Sequence, residues 1–137
     1  MSVISELIRT ESDGTISFGN YELDKKSKLQ DFEHEGDLYK VKTYKEITKL
    51  ERNGMFVYES VPGTAVNHLR VTERGMSFEV EGAGDVQITV ELEEDAEYQI
   101  IINEDNIGAM KANLGGKLML SVELDQAQKA AVRVEKI

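Results

Sequence analysis

The sequence predicts an all-β fold, a single antiparallel β-sandwich of the jelly-roll or Ig-like kind. Three observations predict it. Between Gly75 and Leu124, apolar side chains fall on alternate positions in four successive runs, the period of a half-buried strand. Turn signals recur about every ten residues, the rhythm of sandwich strands. They stand at Arg74-Gly75, Gly82-Ala83-Gly84, Glu93-Glu94-Asp95, Asn103 to Asn106 and Gly115-Gly116. With 137 residues and 40% apolar side chains, the chain has the size of one domain, residues 1–137, with a real core.

Taken in order, Val3-Ile4 and Leu7-Ile8 suggest a first strand over residues 3–9. Ser12-Asp13-Gly14 is a turn, and Ile16 and Phe18 alternate with polar neighbours before a bend at Gly19-Asn20. Residues 24–37 are highly charged, with only Leu29 and Phe32 apolar, and read as a loop or an edge segment. Strand character returns from Leu38 to Tyr44, with Tyr39, Val41 and Thr43 on one side.

Residues 43–54 admit two readings. Thr43-x-x-Glu46 fits a helix capping box, with Ile47 and Leu50 on one helical face. Asn53-Gly54 fits a type I′ hairpin, whose central residues need positive φ. The hairpin is preferred, because the β-rich segment from Met55 to Tyr58 needs a partner. It would set Leu50 opposite Val57, Glu51 opposite Phe56 and Lys49 opposite Tyr58.

The one proline, Pro62 in Val61-Pro62-Gly63-Thr64, marks a corner between sheets or a sub-boundary. Beyond it, Met76, Phe78 and Val80 share a face, as do Val86, Ile88, Val90 and Leu92. Tyr98, Ile100 and Ile102 follow, then Leu118, Leu120, Val122 and Leu124, and a last strand over Ala131 to Ile137.

The charge balance bears on partners. There are 16 basic and 26 acidic residues, a net charge of −10. Such a surface repels nucleic acid and anionic membranes, and disfavours a polyanionic sugar unless a local basic patch exists. The chain lacks cysteine, which removes disulfides, thiolate metal sites and cysteine nucleophiles. No apolar run reaches the roughly 20 residues needed to span a bilayer as a helix. The opening Met1-Ser2-Val3-Ile4-Ser5-Glu6-Leu7-Ile8-Arg9 has neither the basic start nor the apolar stretch of a signal peptide, so a cytoplasmic location is expected.

The best metal candidate is Asp31-Phe32-Glu33-His34-Glu35-Gly36-Asp37. Asp31, Glu33, Glu35 and Asp37 supply carboxylates and His34 an imidazole, and Ca²⁺ takes six to eight oxygens that a turn can aim inward. The spacing is not that of an EF-hand loop. On a regular strand the four carboxylates would share one side and repel, so the competing reading is a solvated edge that discourages pairing between sheets. The acids Glu91, Glu93, Glu94, Asp95 and Glu97 read as an exposed turn, and Asn103 to Asn106 as a hairpin loop.

Catalytic motifs are missing: there is no Gly-x-Ser-x-Gly elbow, no Ser-x-x-Lys and no phosphate loop. His68 reads as structural. Phe18, Phe78 and Tyr98 fall on apolar faces, whereas Tyr21, Tyr44 and Tyr58 are the rings that would line a surface. Met55, Met110 and Met119 fall off the main core stripes, and methionine suits adaptable contacts; the competing reading is core filling in the second sheet.

The run Lys49-Leu50-Glu51-Arg52-Asn53-Gly54-Met55-Phe56-Val57-Tyr58-Glu59-Ser60-Val61-Pro62-Gly63-Thr64-Ala65-Val66 resembles short bacterial all-β proteins labelled endosialidase. Asn113-Leu114-Gly115-Gly116-Lys117-Leu118 and Ile4-x-Glu6-Leu7-Ile8-Arg9-Thr10-Glu11 carry the same resemblance, which spans nearly the whole chain. The label implies hydrolysis of polysialic acid, but no catalytic residue of such enzymes carries over to a position here. The stretch from Ile88 to Val134 also resembles Ig-like or jelly-roll accessory domains of polysaccharide-degrading enzymes. The resemblance lies in Tyr98-x-Ile100-x-Ile102, the loop to Gly108 and Gly115-Gly116-Lys117-Leu118-x-Leu120.

The expectation is a non-catalytic sandwich that works by association, as a homo-oligomer or with a protein partner. The alternatives are a carbohydrate-binding accessory module, with or without Ca²⁺, and a glycan-acting enzyme.

Overall fold

Alternate burial along the chain follows from pairing of its strands into two sheets that press their apolar sides together. A computed structural model describes residues 3–124 and 129–137; Met1 and Ser2, where the N-terminal reading begins, lie outside them. Thirteen strands run in chain order among the described residues: β1 (Ile8–Thr10), β2 (Ile16–Phe18), β3 (Ser27–His34), β4 (Asp37–Tyr44), β5 (Ile47–Arg52), β6 (Met55–Val61), β7 (Thr64–Thr72), β8 (Gly75–Gly82), β9 (Val86–Glu91), β10 (Glu97–Ile102), β11 (Asp105–Lys111), β12 (Lys117–Val122) and β13 (Lys129–Lys136). One sheet is ordered β1-β2-β7-β8-β13-β10-β11 and the other β12-β9-β6-β5-β4-β3. Among the described residues every strand pair is antiparallel. The protein is an all-β, single-domain sandwich.

The alternating residues form the core. Met76, Phe78, Val80, Val86, Ile88, Val90, Tyr98, Ile100, Leu118, Leu120, Val122 and Leu124 are all buried, with Leu92 and Ile102 packed at the margin. Three rings lock the sheets together. Tyr58 on β6 meets Phe18 on β2 and Phe78 on β8 edge to face, at centroid distances of 5.3 and 5.6 Å. Such pairs contribute roughly 0.5–1.5 kcal/mol each beyond the buried area.

Several elements differ from expectation. The first strand is confined to Ile8–Thr10, because Leu7 takes a φ of 75° and breaks the extended run. Ile4 is fully buried all the same, its amide donating to the Gly19 carbonyl at 3.0 Å. Residues 43–54 form hairpins. Thr43 ends in β4, where its hydroxyl meets that of Thr48 at 2.8 Å instead of capping a helix. In the β5–β6 hairpin Glu51 does face Phe56, but a bulge shifts the next pairs, so Leu50 faces Tyr58 and Lys49 faces Glu59. The extra residue, Val57, was the one set opposite Leu50.

Charged residues 27–34 form an edge strand, β3. Five strands, not four, lie between Gly75 and Leu124, because Asp105–Lys111 pairs with β10 as β11. Pro62 sits where the chain crosses from β6 in one sheet to β7 in the other. Gly63 beside it passes so close to β4 that an added Cβ would lie 2.0 Å from the Tyr44 carbonyl oxygen. No helix of the described residues is long and apolar enough to cross a membrane.

Candidate functional site

The acidic segment folds as the β3–β4 hairpin. Glu35 and Gly36 form its two-residue turn, with φ of 51° and 85°, as a type I′ turn requires. Asp31 stands at a bulge with a φ of 59°, exposed like Glu33. Bulge and turn together break the period of two, so the regular strand side imagined for the four carboxylates does not exist. His34 is buried, its Nδ1 2.9 Å from the Thr10 hydroxyl and its Nε2 3.2 Å from Glu35 Oε2. Tyr39 meets the ring edge-on. Asp37 accepts a hydrogen bond from the Asn53 side-chain amide at 2.9 Å. Among the described residues no three His, Cys, Asp or Glu side chains come together to hold a metal ion.

His34, Glu35 and Asp37 do reach a common place. They line a cleft of about 320 Å³ between the sheets with Asp13, Arg52 and Arg70. A neighbouring hollow of about 540 Å³ shares Asp37, Arg52, Val57, Val71 and Thr72, and continues to Glu73, Glu91, Glu93 and Tyr98. Carboxylates and guanidinium groups mix along this end, so it presents no single sign of charge. The acidic turn read at 91–97 is laced to lysines. Glu91 contacts Lys117 at 2.6 Å, Asp95 contacts Lys111 at 3.1 Å, and Glu93 pairs with Lys136.

Beside the cleft, Asp13, Thr15 and His68 have the composition of a hydroxyl–base–acid set, but not its geometry. The Thr15 hydroxyl donates to Asp13 Oδ1 at 2.5 Å and lies 3.1 Å from His68 Nδ1. Asp13 Oδ2 lies 3.4 Å from that same nitrogen. A relay needs acid and hydroxyl at opposite ring nitrogens; here both crowd one. The Thr15 hydroxyl and amide hold the Asp13 carboxyl below its usual range. Next to it Ser17 donates to Glu11 at 2.5 Å and accepts from the His68 amide at 3.0 Å.

The surface assigned to Tyr21, Tyr44 and Tyr58 does not form as a row. Tyr58 is fully buried, its hydroxyl 2.8 Å from that of Thr64. Ser60 and Thr48 complete this buried network through the Thr64 hydroxyl and carbonyl. Tyr21 is half-buried and donates to the buried Glu81 at 2.8 Å. Phe18, Phe78 and Tyr98 lie in the core as expected.

The sheet edges are unequal. The β1 edge is three residues long, and β3 is charged and bulged. At the other end of the seven-stranded sheet, all seven residues of β11 are exposed. Its interior, Asn106-Ile107-Gly108-Ala109-Met110, carries no charge. Ile107 and Met110 are 56% and 38% exposed, and Leu114 and, on β12 of the other sheet, Met119 are exposed as well. Met55 is exposed too, so the three methionines that fell off the core stripes all lie at the surface. Sequence reasoning missed β11 as a strand. With both faces in solvent it has no alternation to detect; its signals were the hairpin loop read at Asn103 to Asn106, which the structure places between β10 and β11, and the uncharged run around Gly108. No family model, curated protein or solved structure matches this chain.

Proposed function

We propose that this protein is a non-catalytic sandwich that works by association, and that its first partner is a second copy joined along β11. The carrying observation is the complete exposure of that strand at a sheet edge. An edge strand offers a row of backbone donors and acceptors to a neighbour, and proteins normally blunt it with charge or proline. The β11 interior has neither, and its one interruption is a bulge at Ile107 against β10. Gly108 allows close approach of another backbone, and a Cβ there would meet nothing within 4 Å of its own chain.

The sequence of β11 is also self-complementary. In an antiparallel pair of two copies centred on Gly108, Asp105 of each faces Lys111 of the other, and Ile107 faces Ala109. Isologous pairing of this kind is the commonest way for a chain to dimerise. Its apolar contacts come from Ile107 and Met110.

Light scattering on eluted fractions tests this. The expected result is a dimer that dissociates on dilution, and a Met110→Lys variant shifted at least tenfold toward monomer. A monomer at every concentration for the parent chain would overturn the proposal.

A further inference from the structure

A second surface lies on the opposite sheet. Half of the chain's 16 basic residues fall between positions 25 and 52, and the register of β3, β4 and β5 gathers four of them, Lys28, Lys40, Lys42 and Lys49, onto one face. Lys28 pairs with Lys42, and Lys42 with Lys49, so three ammonium groups line up straight across three strands. Lys40 stands two residues from Lys42 on the same side, and these four side chains with Glu51 line one depression. Lys26 adjoins them, its ammonium 5.8 Å over the Tyr44 ring.

Like charges directly across a sheet are destabilising. A net charge of −10 supplies acids enough to neutralise such a row, yet the register sets glutamates only at its margins, Glu51 opposite Lys40 and Glu59 opposite Lys49, and lysines opposite one another along Lys28, Lys42 and Lys49. Among the described residues, the one ion pair made by Lys28, Lys40, Lys42 or Lys49 joins Lys49 to Glu51 at 3.7 Å. Edge protection explains Lys28 on β3, but not Lys40, Lys42 and Lys49 on interior strands. Lys42 feels the crowding: partial burial first, then the neighbouring ammonium groups, hold it below the usual lysine range.

We infer that the Lys26–Lys28–Lys40–Lys42–Lys49 face of β3–β5 is a docking surface for an extended acidic segment of a partner protein. Charge complementarity argues for an anion, and the details argue for carboxylates on a chain. No arginine stands among the five, so the bidentate fork that favours phosphate is absent from the patch. The two rings on this face, Tyr44 and Phe56, each have an ammonium over them and are not open platforms for bases. Lys40 and Lys42 repeat at about 6.8 Å along the strand, which is also the i, i+2 spacing of carboxylates on an extended peptide. This surface is separate from β11, so either can fail without the other.

Fluorescence anisotropy with a labelled peptide of alternating Glu and Ser tests it, beside oligouridylate, polygalacturonate and phosphatidylserine vesicles. The expected result is saturable peptide binding that weakens with salt, and a rise in Kd of at least tenfold in the Lys28→Gln/Lys42→Gln/Lys49→Gln variant. That variant should melt no lower than the parent, since it relieves repulsion, and Lys129→Gln should bind like the parent. Absence of saturable peptide binding, indifference to the triple substitution, or a lower melting temperature of the triple variant would overturn the inference. So would tighter binding of oligouridylate, polygalacturonate or vesicles than of the peptide.

Discussion

At the scale of single residues, the polar side chains are fixed by neighbours more than by exposure. Glu11 is the clearest case. The Ser17 hydroxyl, followed by Arg9, holds its carboxyl below its ordinary value of 4.5. A carboxylate whose pKa is depressed on folding adds stability above 4.5, and that stability is lost as pH falls through the lower folded value. Ser17→Ala removes the first cause, and it also deprives the His68 amide of its acceptor at every pH. The variant should therefore melt lower than the parent at neutral pH, with the gap narrowing as the solution is acidified below 4.5. Melting curves across that range check it; a gap independent of pH would assign no role to the carboxylate. Burial, and then the contact with Glu81, raise the Tyr21 hydroxyl above its usual range, so it stays a donor to that carboxylate.

At the scale of elements, turns and close approaches decide where strands end. Gly75 opens β8 with a φ of 140°, and a Cβ there would lie 1.8 Å from the Val134 carbonyl oxygen on β13. Gly14 also has positive φ, at 84°, but open space around it. Gly75→Ala should cost about 2–4 kcal/mol, because backbone must move as well as strain. Gly14→Ala should cost about 1–2 kcal/mol, the conformational part alone. Chemical denaturation of the two variants checks the contrast, and equal losses would contradict it. Legibility followed the same physics. Strands with one face in the core, such as Val86–Glu91 and Lys117–Val122, announced themselves by alternation. The register of β5 on β6 did not, because a bulge at Leu50 and Glu51 leaves no mark in composition. β11 did not either, because neither of its faces is buried.

At the scale of the whole molecule, summed charge misleads where topology sorts charge. A total of −10 reads as a uniformly acidic particle, yet β3, β4 and β5 bring lysines from separated positions into one row. The acidic segment 31–37 was visible in sequence, but its division between bulge, turn and cleft was not, since φ at Asp31 and Glu35 sets it. The methionines broke the core periodicity, but that alone did not separate exposure from core filling in the second sheet; the structure exposes all three. The proposed pairing along β11 ties these scales together, and its charges would give it a signature no monomer contact can mimic. Asp105→Lys alone sets lysine against Lys111 of the other copy, and Lys111→Asp alone sets two aspartates together. Mixed in equal amounts, the two variants restore opposite charges at both ends of the pair. Light scattering of each variant and of the mixture is the most direct measurement: two monomers that form a dimer on mixing are predicted, and a mixture as monomeric as its components would contradict the account.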